Sequence, residues 1–236
     1  MKLLGLDSSG LVASVAVVAD DDLLGEYTVN YKKTHSQTLL PMLHEVAQMI
    51  ELDLETIDAI AVAGGPGSFT GLRIGSATAK GLGLALDKPI VSVPTVEALA
   101  YNLVGHRDIV CPLMDARRNQ TYTGLYRFSG NALTVLREQC AIGIEEIVSE
   151  LNQRGEAVVF LGDGVPVFRE YLKEKLCVPY SFAPAHLNKQ RAGAVAALGL
   201  CYLKEGRIET AQEHKPEYLR LSQAERERSE RQRKEV

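Results

Sequence analysis

The chain has 236 residues, 46% of them hydrophobic and 24% charged, with 26 Lys and Arg against 30 Asp and Glu, a formal net charge of −4. The composition is that of a soluble globular protein and excludes a mostly disordered chain; the length fits one large domain or two small ones. The acidic balance argues against a free-standing nucleic-acid binder, a class that carries a basic excess.

The first thirty residues read as strands over 2–7, 11–19 and 23–31, with Asp20-Asp21-Asp22 as a turn. Residues 34–51 read as a helix with Thr34 or Ser36 as cap and Pro41 near its first turns. The apolar run 57–63 is that of a strand buried on both faces, and it enters Gly64-Gly65-Pro66-Gly67-Ser68-Phe69-Thr70-Gly71. A helix over 71–86, a buried strand over 89–93 and a helix over 94–103 follow. The pattern then restarts, with strands at 109–114, 120–128 and 133–140, a helix at 144–152, a strand at 157–161, and helices at 165–176 and 190–205. A β-β-β-α-β-α order thus occurs twice and predicts two related α/β lobes. The expected division is 1–104, 105–221 and a tail of 222–236. The tail holds five basic and four acidic residues between Glu225 and Glu235 and reads as a solvated helix or frayed end.

Asp7 breaks the N-terminal apolar run, which argues against a signal peptide. No uninterrupted apolar stretch approaches the ~18 residues a membrane span needs. A cytoplasmic chain with no membrane partner is expected. Cys111, Cys140, Cys177 and Cys201 contain no Cys-x-x-Cys pair and read as buried free thiols.

A buried strand, glycines and a helix start form a phosphate-binding geometry. Here Leu72-Arg73 follows Gly71 where a Walker A loop needs Lys-Ser/Thr, and the glycine spacing misses the dinucleotide fingerprint by one position. A tight turn with close backbone packing is the favoured reading. The helix over 71–86 carries Gly71, Gly75, Gly81 and Gly83, each costing about 0.8–1 kcal/mol relative to Ala. Close approach by neighbouring elements is the expected compensation. On the helix over 34–51, apolar residues cover about half the circumference, more than the ~100° stripe a core needs. The excess near Met42 and Met49 is a candidate partner contact.

Metal ligands are not expected. His44-Glu45-Val46-Ala47-Gln48 lacks the second histidine of a zinc motif, and His106, His186 and His214 are isolated in sequence. Ser8 and Ser9 have no evident base to make either a nucleophile. Asp7, at the end of the first strand, and Asp115, at the end of the first strand of the second half, have the placement of a nucleotide cleft.

Gly65-Pro66-Gly67-Ser68-Phe69-Thr70-Gly71-Leu72-Arg73-Ile74-Gly75 resembles the signature of the TsaB (YeaZ) family. Gly5-Leu6-Asp7-Ser8-Ser9, Met114-Asp115-Ala116-Arg117-Arg118 and Pro216-Glu217-Tyr218-Leu219-Arg220 resemble it in order and spacing. The resemblance covers about 1–221. It implies an actin-like ATPase (ASKHA) fold and a non-catalytic subunit in the synthesis of threonylcarbamoyladenosine in tRNA. It implies no cofactor, no catalytic residue and no metal site. The catalytic relative TsaD carries a His-x-x-x-His pair where this chain has Thr95 and Leu99. Arg117 and Arg118 would crowd a phosphate site, so a collapsed or occupied cleft is expected. The implied partners are TsaD as a heterodimer, TsaE in the larger complex, a homodimer when alone, and tRNA as the substrate of the complex. Contact is expected through Thr38, Met42, Glu45, Met49, Arg73, Ala77 and Lys80. The alternatives are an actin-like ATPase or small-molecule kinase and, third, a peptidase.

Overall fold

The computed structural model of the chain describes residues 1–31 and 35–220. The side chains of Thr34 and Ser36, read as a helix cap, and the charged tail lie outside the described residues. The first half runs β1 (Lys2–Asp7), β2 (Ala13–Ala19), β3 (Asp22–Val29), α1 (His35–Met49), β4 (Ala59–Gly65), α2 (Phe69–Leu86), β5 (Ile90–Pro94) and α3 (Thr95–Tyr101). The second runs β6 (Ile109–Asp115), β7 (Gln120–Ser129), β8 (Ala132–Gly143), α4 (Ile144–Arg154), β9 (Val158–Leu161), α5 (Val165–Lys175), β10 (Tyr180–Phe182) and α6 (Ala192–Lys204).

Two five-stranded sheets result, ordered β3-β2-β1-β4-β5 and β10-β9-β6-β7-β8. In each, three strands meander antiparallel and two more join parallel to the first. The second order is the first read backwards, so one topology occurs twice. The short strand β10 completes the match.

The strand period of two sorts the core. Leu4, Leu6, Ile60 and Val62 face α1, whose Leu39, Met42, Leu43 and Val46 form an i, i+3, i+4, i+7 stripe. Leu3, Ala59, Ala61 and Ala63 face the opposite way, towards Val195, Ala196 and Leu198 of α6. Pro41 is the seventh residue of α1 rather than near its start. It removes one helical donor there, and both Pro41 and Gln37, the carbonyl it leaves unbonded, are exposed to water.

The helices closing the two halves do not follow chain order. Helix α6, assigned with the second half by sequence, packs on the first sheet; Gly5 admits it so closely that a Cβ there would lie 2.5 Å from the Ala192 carbonyl oxygen. In return Val96, Leu99 and Ala100 of α3 pack into the second sheet's core with Val110, Tyr126 and Val159. The cut at 104/105 divides the strands but not the packing.

Where α3 meets α6, Glu97 is 6% exposed and accepts a hydrogen bond from the Tyr202 hydroxyl. Burial pushes the Glu97 carboxyl above its usual range, and the Tyr202 bond only partly opposes this. With a folded-state pKa raised above the unfolded ~4.3, the cost falls on the ionised form. That cost is absent below the unfolded value, grows as pH rises past it and is fully present once pH has passed through the folded value. Glu97→Gln should therefore unfold at higher urea than the parent at pH 8 and at the same urea at pH 4. An advantage equal at both pH values would clear Glu97 of this role.

Cys111 is buried, and burial pushes its thiol up to about 12. Cys177, expected to be buried, is exposed. His214, isolated in sequence, is 1% exposed, and its Nδ1 lies 2.9 Å from Glu209 Oε2. Among the described residues no helix is long and apolar enough to cross a membrane.

Candidate functional site

The glycine-rich loop joins β4 to α2. Its Gly65–Pro66 peptide is cis. Ser68 Oγ caps α2 by accepting the Gly71 N–H at 3.3 Å. The loop rests on the turn after β1: the Ser68 N–H donates to the Ser9 carbonyl at 2.6 Å, and Ser8 Oγ donates to the Gly71 carbonyl at 2.8 Å. Asp7 Oδ1 accepts from the Ser9 N–H and hydroxyl at 2.8 and 2.7 Å. A Cβ at Gly67 would lie 2.3 Å from the Ser9 carbonyl oxygen, and one at Gly71 2.0 Å from that of Ser8. The space these glycines open is filled by the chain's own backbone. The tight-turn reading of the loop is therefore the one that fits.

Three of the four α2 glycines are explained by close approach. Gly71 meets the Ser8 backbone, Gly75 would place a Cβ 2.6 Å from Ser8 Oγ, and Gly83 would place one 3.0 Å from the Lys88 carbonyl. Gly81 has nothing within 4 Å of its Cβ position.

Residues 207–220 form a strap that sequence periodicity gave no sign of. Glu209 and Ile90 exchange backbone hydrogen bonds of 2.8 and 2.9 Å, extending the edge of the first sheet. Lys80 Nζ donates to the carbonyls of Gln212 and His214 at 3.4 and 3.1 Å. The Glu217 N–H donates to the Gly64 carbonyl at 2.7 Å, and Gln139 of β8 donates to both the Gly65 carbonyl and Glu217 Oε2. Tyr218 lies on Phe69 with ring centroids 4.5 Å apart, and Arg220 Nη1 donates to the Ala116 carbonyl. The strap thus ties α2, the glycine loop and the second sheet together.

Between the halves is a cleft of about 450 Å³, with Ser9, Ser68, Asp115, Arg117, Asp163 and Tyr218 in its wall. Asp7 is not in that wall: it is 1% exposed and held by Ser9. The carboxylate beside Asp115 is Asp163, whose Oδ1 accepts the Asp115 N–H at 3.3 Å. Burial pushes the Asp163 carboxyl up, and the Asp115 charge adds to this. Asp163 stands in Gly162-Asp163-Gly164, a segment readable from sequence only as a turn. The Arg117 guanidinium pairs with Asp115 at 3.0 Å. Arg117, Arg118 and Asn119 all have positive φ, at 65°, 57° and 57°.

The expected contact residues fall into three groups. Glu45, Met49, Arg73 and Ala77 are exposed and Thr38 is half-buried; Met49 reaches 82% exposure, and Leu40 of α1 and Leu84 of α2 are exposed too. Met42 is 4% exposed and packs into the core, so it is no surface contact. Lys80 is engaged by the strap's carbonyls and serves as a strut.

The chain is 31% identical over 225 residues to the Bacillus subtilis "tRNA threonylcarbamoyladenosine biosynthesis protein TsaB", covering 95% of this chain and 96% of that one. The chain belongs to the TsaB family. An Escherichia coli protein of the same name is 31% identical over 178 residues, 74% of this chain and 76% of that one. Residues 22–228 match the family model described as "TsaD: tRNA N6-adenosine threonylcarbamoyltransferase". The solved structure of YeaZ from Pseudomonas aeruginosa superposes with a TM-score of 0.79 at 25% identity, over 92% of this chain and 99% of that one. A polyphosphate/ATP-glucomannokinase from Arthrobacter superposes with a TM-score of 0.51 at 13% identity, covering 87% and 99%, a likeness of fold alone. The fold is the actin-like one that the family resemblance implies, and its two sheets are the two related α/β lobes expected from the doubled element order.

Thr95 and Leu99 have structural work in this TsaB-family chain. Thr95 Oγ1 accepts the Gly65 N–H at 3.0 Å, and Leu99 is 1% exposed within the second core. Among the described residues no group of three or more His, Cys, Asp and Glu is placed to hold a metal ion.

Proposed function

We propose that this chain is a subunit of the assembly that forms N6-threonylcarbamoyladenosine in tRNA, and that it supports a TsaD-type transferase without a catalytic centre of its own. Family membership over 95% of the chain carries the first part. The glycine loop supports the second: the Ser8 and Ser9 carbonyls fill the space beside Gly71 and Gly67, so the loop is packed shut against the chain's own backbone. An ATPase or kinase role would require that loop to be open. The outer face of α1 and α2, with Thr38, Glu45, Met49, Arg73 and Ala77, is the docking surface for TsaD as a heterodimer. The same face pairs two copies of the chain when TsaD is absent, in a C₂ arrangement. TsaE joins the larger complex, and the setting is the cytoplasm.

The test is threonylcarbamoyl transfer to unmodified tRNA with TsaD and TsaE held constant and this chain added or omitted. Activity that depends on the chain, a co-eluting complex on a sizing column and no activity from the chain alone are expected. Transfer at the same rate without it would overturn the proposal.

A further inference from the structure

We propose that the lip of the interlobe cleft is a contact for a single-stranded segment of RNA, a role that rests on the reading that the assembly acts on tRNA. The lip brings a pair of stacked rings together with arginines from both halves. Arg73 lies 4.0 Å over the Phe69 ring, Phe69 meets Tyr218, and Arg220 reaches the Ala116 carbonyl beside Arg117 and Arg118. The lip runs from α2 of the first half to the β6–β7 turn of the second.

Arg73, Arg117, Arg118 and Tyr218 are exposed, and Phe69 and Arg220 are half-buried. Tyr218 is 38% exposed and the Arg117 side chain 84%. Among the described residues Arg73, Arg118 and Arg220 have no carboxylate within ion-pair distance. The carboxylates nearby are already engaged: Asp115 by Arg117, Glu217 by Gln139, and Asp163 by the Asp115 N–H. Single strands are held by this combination, rings that stack on a base and guanidinium groups that take the phosphates. The net charge of −4 fits a local patch that adds to a partner's RNA site rather than binding tightly alone.

The test uses the chain assembled with TsaD and a fluorescein-labelled, unmodified tRNA, with affinity read by anisotropy at several salt concentrations. Tyr218→Ala should weaken binding at least fivefold, the lower end of one lost base stack. Arg118→Glu should weaken it and lower the log–log salt slope by about one, as for one lost phosphate contact. Lys173→Glu, a charge reversal on α5 at the surface, should leave binding unchanged. In parallel, 4-thiouridine-substituted tRNA is photocrosslinked to the isolated chain at low salt, with the adduct expected on the peptide holding Tyr218. Unchanged affinity in both variants while the complex still forms would overturn the proposal. If the complex does not form, the subunit reading fails and the crosslink decides this one, with no adduct at the lip overturning it. Loss of TsaD co-elution in Arg118→Glu, with RNA crosslinking intact, would assign the lip to a protein contact and likewise overturn it.

Discussion

Gly71→Ala should lower the stability of the fold by about 1–3 kcal/mol, the usual cost of forcing one extra carbon into a packed site. The new Cβ would lie 2.0 Å from the Ser8 carbonyl oxygen. That oxygen belongs to the turn whose next carbonyl, that of Ser9, accepts the Ser68 N–H, so its retreat strains the bond that holds the loop on the turn. Gly81→Ala on the same helix is the control. Its Cβ meets nothing within 4 Å, so only helix propensity acts, and a gain of about 0.8–1 kcal/mol is expected. Urea denaturation of the two variants reads opposite signs. A Gly71→Ala protein as stable as the parent would mean that the loop does not rest on Ser8 as described.

Ala77→Glu should remove association with TsaD, and with it chain-dependent transfer, while leaving the melting temperature close to the parent's. Ala77 is exposed on α2, so the isolated fold loses nothing by the change. In an interface the carboxylate would be buried without a partner, a penalty of several kcal/mol. Three kcal/mol is already more than a hundredfold in dissociation constant. Sizing chromatography and thermal melting decide the matter together. A variant that unfolds would make this face core, and one that still co-elutes and activates would place the interface elsewhere.

The elements were legible because their apolar periods were clean. The apolar run read at 57–63 is typical of a strand buried on both faces, and the strand found is Ala59–Gly65; Ile144, Ile147, Val148 and Leu151 make one helical stripe. The glycine loop was legible as a tight turn from what it lacked, a Lys-Ser/Thr after Gly71. Other features were hidden for identifiable reasons. The strand Tyr180–Phe182 is three residues long and half exposed, too short for a period to show. Met42 and Met49 share an apolar helix, yet one fills the core and the other meets solvent. Periodicity measures the width of a face, and the sheet behind it decides where burial stops. The strap is held mainly by backbone groups, Glu209 to Ile90 and Glu217 to Gly64, and backbone donors are the same in every residue. Asp163 gave no signal because its pairing with Asp115 depends on two strand ends 48 residues apart meeting in space.

The return of α6 to the first sheet bears on how the molecule is made. A ribosome releases β1 to β5 early, and domains generally form as they emerge. Here Leu3, Ala59, Ala61 and Ala63 await Val195, Ala196 and Leu198. One face of the first-made sheet therefore stays bare until the last described helix has been synthesised. Neither half can finish alone, and the first sheet is covered only after α6 has left the exit tunnel.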